Sequence, residues 1–128
     1  MRRICFLILL TVAGCTTNPV RNGPPWRVPK SDFGGAKPLN LSGWYSAQDY
    51  PLTAIRAGEQ GYVTVEFTIG DNGRPIRCRV VRSSGYPDLD AVPCRALMER
   101  AIFKPATDSN GHARETVAST SMSFWTKN

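Results

Sequence analysis

The sequence predicts an α+β domain over residues 46–128, with elements in the order helix, strand, strand, helix, strand. Three observations predict it. Val63, Val65, Phe67 and Ile69 alternate with Tyr62, Thr64, Glu66 and Thr68, the period of a half-buried strand. Asn72-Gly73 then supplies the residues that a tight type I′ hairpin needs. Further on, Cys94, Leu97 and Ala101 recur at spacings of three and four, which places them on one helical face.

Ahead of the domain, Arg2 and Arg3 precede an apolar run from Ile4 to Leu10, and Thr11-Val12-Ala13-Gly14 leads into Cys15. Charge, apolar core and small-residue exit, in that order, make a secretory signal. Val-Ala-Gly-Cys resembles a bacterial lipobox, so residues 1–14 are expected to be removed and Cys15 to carry lipid. The apolar run is far short of the roughly 20 residues that span a bilayer. Thr16, where Asp would retain a lipoprotein at the inner membrane, points to the outer membrane. The expected location is the periplasmic side of the cell envelope, held by the lipid anchor.

Residues 15–45 read as a tether. Half of the ten prolines lie between residues 19 and 38, among Gly, Asn and Lys, with no apolar period. Trp26, Phe33 and Trp44 interrupt this stretch without forming a pattern. The chain carries 16 Lys and Arg against 10 Asp and Glu, a net charge of +6; loss of Arg2 and Arg3 with the leader lowers it to +4. A nucleic-acid binder clusters basic residues with aromatics on one face. Neither the modest charge nor the exported location fits that class, and no nucleic-acid partner is expected.

The domain begins with a short helix or turn within 46–57. Tyr50, Leu52 and Ile55 give it an apolar side, Pro51 fits the first turn, and Gly58 stops it. The strand from Gly61 to Ile69 follows. A two-residue loop at Asn72-Gly73 pairs Ile69 with Ile76, Phe67 with Cys78 and Val65 with Val80 on the inner face. Thr68 then meets Arg77, and Glu66 meets Arg79, on the outer face. Arg77 and Arg79 read as part of a solvated surface.

The second helix is expected from Asp90, a good N-cap, to about Ala101, with Pro93 in its first turn. A last strand runs from about Arg114 to Phe124, placing Ala118, Thr120, Met122 and Phe124 inside.

With Cys5 in the leader and Cys15 lipidated, Cys78 and Cys94 remain in an oxidising compartment. They are too few, without His partners, for zinc, and their separation lacks the C-x-x-C geometry of a redox pair. A structural disulfide is expected. Cys94 above the sheet face that carries Cys78 gives it a geometric basis.

Tyr50-Pro51, the run from Gly61 to Ile76, Ser83-Ser84-Gly85, Leu89-Asp90 and Phe103-Lys104-Pro105-Ala106 follow in fixed order. Together they resemble the C-terminal domain of the TonB family, over roughly the last 75 residues. The resemblance implies a three-stranded antiparallel sheet with two helices on one face and a strand order of second, first, last. It also implies a binding mode. The last strand is an edge that accepts a partner strand, in the family the TonB box of an outer-membrane receptor, by strand addition. The matching edge here is Thr116, Val117, Ala118, Ser119, Thr120, Ser121, Met122 and Ser123.

The implied partner is an outer-membrane TonB-dependent receptor or another envelope protein; a homodimer, domain-swapped or strand-paired, stays open beside it. The family's energy transducers carry a transmembrane helix with a motor-engaging histidine and a long Pro-rich spacer. Here the only histidine is His112, late in the domain, and residues 16–49 reach at most about 110–120 Å. A tethered binding module is therefore expected rather than direct energy transduction. An assembly or structural role in the envelope is the alternative.

No catalytic, cofactor or metal site is expected. Cys94 with His112, or Ser83 or Ser84 as a nucleophile, would be the only candidates. Ser83-Ser84-Gly85 lacks the Gly-x-Ser-x-Gly elbow, and neither a triad nor a pair of carboxylates is visible.

Overall fold

The computed structural model describes residues 23–127. The leader and Cys15 lie outside the described residues. The described residues form strands β1 (Lys37–Pro38), β2 (Gly61–Ile69), β3 (Pro75–Arg82), β4 (Phe103–Lys104), β5 (Ala106–Thr107), β6 (Ala113–Arg114) and β7 (Thr116–Phe124), with three short α-helices. These are α1 (Leu52–Arg56), α2 (Pro87–Asp90) and α3 (Val92–Arg100). The main sheet is antiparallel with the order β3-β2-β7, so the first long strand lies in the middle and the last at an edge.

The alternation in β2 produces this arrangement. Val63, Val65, Phe67 and Ile69 are buried on one face, against Leu97 and Ala101 of the α3 region and Ala118, Met122 and Phe124 of β7. Burying each of the larger side chains contributes about 1.5–3 kcal/mol. Pairing of β2 with β7 is continuous over nine residues, from Gly61 opposite Phe124 to Ile69 opposite Thr116.

The β2–β3 register agrees with the sequence over Val65 to Thr68 and departs from it at Ile69. Ile69 pairs with Pro75, not Ile76. The turn explains the difference. Gly70 and Arg74 close a three-residue loop, with Gly73 N–H donating to Gly70 O and Gly73 at φ 80°. No non-glycine residue among those described has positive φ, so Asn72 does not enter the type I′ conformation. A three-residue loop shifts the pairing by one, and a bulge at Ile76 shifts it back. Gly73 is also required for space: a Cβ there would lie 2.0 Å from the carbonyl oxygen of Phe103.

Two capping expectations are corrected. Asp90 does not cap α3. Helix α3 starts at Val92 with Ala91 as its cap residue, and Pro93 sits in its first turn. The Asp90 carboxylate instead accepts hydrogen bonds from the Ser83 and Ser84 hydroxyls and the Ser84 N–H, holding the turn before α2. Pro51 is the cap residue of α1, not part of its first turn. Leu52 and Ile55 are exposed while Ala54 is buried, so α1 packs through a small residue.

The part of the tether nearest the domain is packed onto it. Trp44 is fully buried, and its ring centroid lies 5.8 Å from Phe33 and 5.1 Å from Phe103. Phe33 also meets Phe103 at 5.5 Å. Asn40 anchors the same stretch. Its amide N–H donates to Arg100 O at the end of α3, and its Oδ1 accepts from Trp44 Nε1 and Ile102 N–H. Lys37 and Pro38 pair with Lys104 and Phe103 as a small ribbon. Two buried rings, Trp44 and Phe103, with the half-buried Phe33 packed on them, supply apolar burial that opposes the entropy of ordering this segment.

Candidate functional site

The sheet has two edges, and they differ. Strand β3 is irregular, with register shifts at both ends of its pairing with β2. Its side chains Arg77, Arg79 and Arg82 are exposed. Bulges and charges are the usual protections of an edge against pairing. Strand β7 is regular through all nine residues, and its exposed side carries Val117, Ser119, Ser121 and Ser123.

The direction of the β7 backbone groups follows from one contact. Ser119 exchanges both backbone bonds with Asp32, N–H to O at 2.7 Å and 2.9 Å, on the side away from β2. In an antiparallel ladder, residues bond alternately to one side and the other. Val117, Ser119, Ser121 and Ser123 therefore present their N–H and C=O groups outward, and Thr116, Ala118, Thr120 and Met122 bond to β2. The same four even-numbered residues are buried on the inner face. The eight edge residues named from the sequence thus divide into an outward-bonding set and an inward-packing set.

Beside the C-terminal half of β7 lies an open cleft of about 550 Å³, bordered by Tyr45, Tyr50, Ile55, Met122, Phe124 and Trp125. Tyr50 packs edge-on against Phe124 at 5.3 Å. Its hydroxyl donates to Glu59 O, and burial, then the Glu59 charge, raises its pKa. The Tyr45 hydroxyl is buried without a hydrogen-bond partner among the described residues; burial, then the negative charge of Asp49, raises its pKa strongly.

At the opposite edge a second cleft, about 660 Å³, lies between β3 and α3, bordered by Ile76, Cys78, Cys94, Arg95 and Met98. Cys78 and Cys94 form the expected disulfide across it, with a Cα–Cα distance of 5.5 Å. On the outer sheet face Arg79 pairs with Glu66 at 2.9 Å and Arg77 with Glu115 at 3.5 Å. Arg82 lies 3.9 Å from the centre of the Tyr62 ring.

The residues weighed for catalysis are otherwise engaged. The Cys94 sulfur is bound to Cys78. The Ser83 and Ser84 hydroxyls are held by Asp90, whose pKa is lowered: partial burial opposes the shift, and the three hydrogen bonds from Ser83 and Ser84 outweigh it. His112 sits in the exposed loop between β5 and β6, 3.7 Å from Asp108. Among the described residues no group of His, Cys, Asp and Glu is arranged to hold a metal ion, and no helix is long and apolar enough to cross a membrane.

Sequence reasoning missed the contribution of residues 26–34 to this site. Ser31, Asp32 and Gly34 contact Thr120, Ser119 and Thr116 of β7. The available signal was Phe33 and Trp44, two large aromatics that a solvated tether has no use for.

Comparison with known proteins agrees with this architecture. The family described as Gram-negative bacterial TonB protein C-terminal matches the chain over residues 46–125. The solution NMR structure of the Pseudomonas aeruginosa TonB CTD is similar in fold, with a TM-score of 0.56 at 23% sequence identity. That match covers 73% of this chain and 89% of the other. No curated protein matches the chain. With more than half of its length matched, including all three strands of the main sheet and the helix that covers them, the chain belongs to the TonB C-terminal domain family.

Proposed function

We propose that this protein is a tethered protein-binding module of the cell envelope that adds a partner's extended segment to strand β7. Family membership supports a TonB-like periplasmic module. The observation that carries the finer reading is the regular β7 edge, where Val117, Ser121 and Ser123 present outward backbone groups, the last two beside an open cleft. A strand laid there gains main-chain hydrogen bonds for affinity and places alternate side chains toward Tyr45, Tyr50 and Ile55 for selectivity. The partner class is an outer-membrane TonB-dependent receptor or another envelope protein, and a lipid on Cys15 keeps the domain at the membrane. Binding without direct force generation fits a chain anchored by lipid. The Cys78–Cys94 bond supports a structural role for both cysteines, not thiol catalysis.

The test uses a photo-crosslinking residue at Val117 in the full-length protein in native cells, combined with Ser121→Pro or Ser121→Ala. Proline at Ser121 removes an outward donor without touching the β2 ladder. The expected result is capture of an envelope protein that falls with proline and persists with alanine, at an unchanged thermal midpoint. Equal capture by the two folded variants would reject strand addition at β7.

A further inference from the structure

The β7 edge already has an occupant. Trp26 Nε1 donates to Ser123 Oγ at 3.1 Å, and the Ser31 and Thr120 hydroxyls lie 2.7 Å apart. Asp32 bonds both backbone groups of Ser119. Thr116 Oγ1 donates to Gly34 O at 2.8 Å. As the residue number rises from 26 to 34, the contacted residue falls from 123 to 116. The segment therefore lies along β7 in the antiparallel sense, where a fourth strand would lie.

It occupies the edge incompletely. Of the four outward-bonding residues only Ser119 has its backbone groups taken by this segment, at a single isolated bridge. Pro24, Pro25 and Pro29 favour an extended chain while withholding backbone donors. The segment ends at a close approach: Gly34 has φ 58°, and a Cβ on it would lie 2.5 Å from Val117 O and 2.3 Å from Thr116 Oγ1. Beyond it Ala36 and Trp44 are buried in the core. The covering stretch is thus weakly bonded on one side and firmly anchored on the other.

We propose that residues 26–32 are an intramolecular gate, a stand-in strand that a partner must displace before it pairs with β7. The inference rests on strand addition at β7 and adds its regulation. The gate lowers the apparent affinity of the edge by the fraction of molecules in which the edge is covered. It shields the outward groups from unselective pairing, and only an extended segment that makes more ladder bonds than the single Asp32 bridge displaces it.

The test compares the full-length protein with two variants, Asp32→Pro, which removes the donor to Ser119, and Trp26→Ala/Ser31→Ala, which removes side-chain contacts only. The second guards against misfolding by proline. The probe is a fluorescent peptide copying residues 24–35 with Pro24, Pro25 and Pro29 replaced by Thr, so that it can make more ladder bonds than the gate, and amide exchange at Ser119 reports whether the gate is open. The expected result is faster Ser119 exchange in both variants and peptide binding about tenfold tighter than in the parent protein. Unchanged exchange in both variants overturns the gate. Equal peptide affinity for parent and variants overturns the gate and leaves strand addition standing. Faster exchange with no peptide binding to either variant overturns strand addition at β7, and the gate with it.

Discussion

Asp49 and Arg100 form a two-bond ion pair, with Arg100 Nη1 2.7 Å from Asp49 Oδ2 and Nη2 2.9 Å from Oδ1. The same guanidinium donates to Trp44 O at 3.0 Å, and Asp49 accepts from the Ser46 N–H at 2.7 Å. One pair thus joins the end of α3 to the stretch where the chain enters the domain, 51 residues earlier. The Arg100 hydrogen bonds are the main reason that the Asp49 pKa is lowered.

Acid should weaken the fold through this pair. A carboxylate with a lowered folded-state pKa contributes stability above its unfolded value, near 4, and that stability is lost as pH falls through the folded value. Asp90, also lowered, acts in the same direction. The thermal midpoint is expected to fall as pH drops below about 4. Asp49→Asn should lower the midpoint at neutral pH and flatten the acid limb. An acid limb identical in slope in the variant would remove Asp49 as its cause.

Replacing Cys78 and Cys94 together with alanine opens a loop closed by a bond between residues 16 apart. The expected loss is about 3 kcal/mol in the chain-entropy description, read by urea unfolding with and without reductant. Mass spectrometry of the exported, non-reduced protein should show both sulfurs oxidised. Two free thiols after export would contradict the pairing.

Trp44→Ala should cost about 3–5 kcal/mol, the range for removing a buried large aromatic. A loss below about 1 kcal/mol would mean that the segment ahead of residue 46 does not belong to the folded unit, since exposed substitutions fall in that range.

If Cys15 carries the proposed lipid, Cys15→Ala is expected to prevent lipid attachment and move the protein from the membrane fraction to the soluble one, since no helix among the described residues is long and apolar enough to cross a membrane. Retention of the unlipidated protein in the membrane fraction would point to a different anchor.

What the sequence revealed and what it concealed divide along the range of the interactions. The period of two in β2 and β7 is local, so both strands and their buried residues could be read directly. The disulfide was legible because the hairpin register and the helical spacing each placed one cysteine on the inner side. The three-residue loop was not legible, since a bulge at Ile76 restores the register beyond it and leaves the pattern of charges unchanged. Asp90 has the residue type of a cap and serves another turn, a choice made by the position of Ser83 and Ser84. Phe33 and Trp44 find Phe103 from far along the chain, and no local period announces such a contact. The gate was the least legible part, because one bridge and a few hydroxyls leave no pattern in a Pro-rich stretch.

The position of Asp32 beside Ser119 also decides how the domain bears tension. A pull on the N-terminal segment reaches the folded unit first at β7, and then at the ring cluster of Phe33, Trp44 and Phe103. The sulfur link lies at β3, on the far side of β2. With a partner on β7 and residues 26–32 displaced, a load applied to the segment ahead of Phe33 would enter at the ring cluster and leave through β7, on one flank of the sheet. It is resisted by aromatic packing and by the Asp49–Arg100 pair, while the covalent staple carries none of it. Oxidation would then make the domain harder to melt without making it harder to pull open from its N-terminal end.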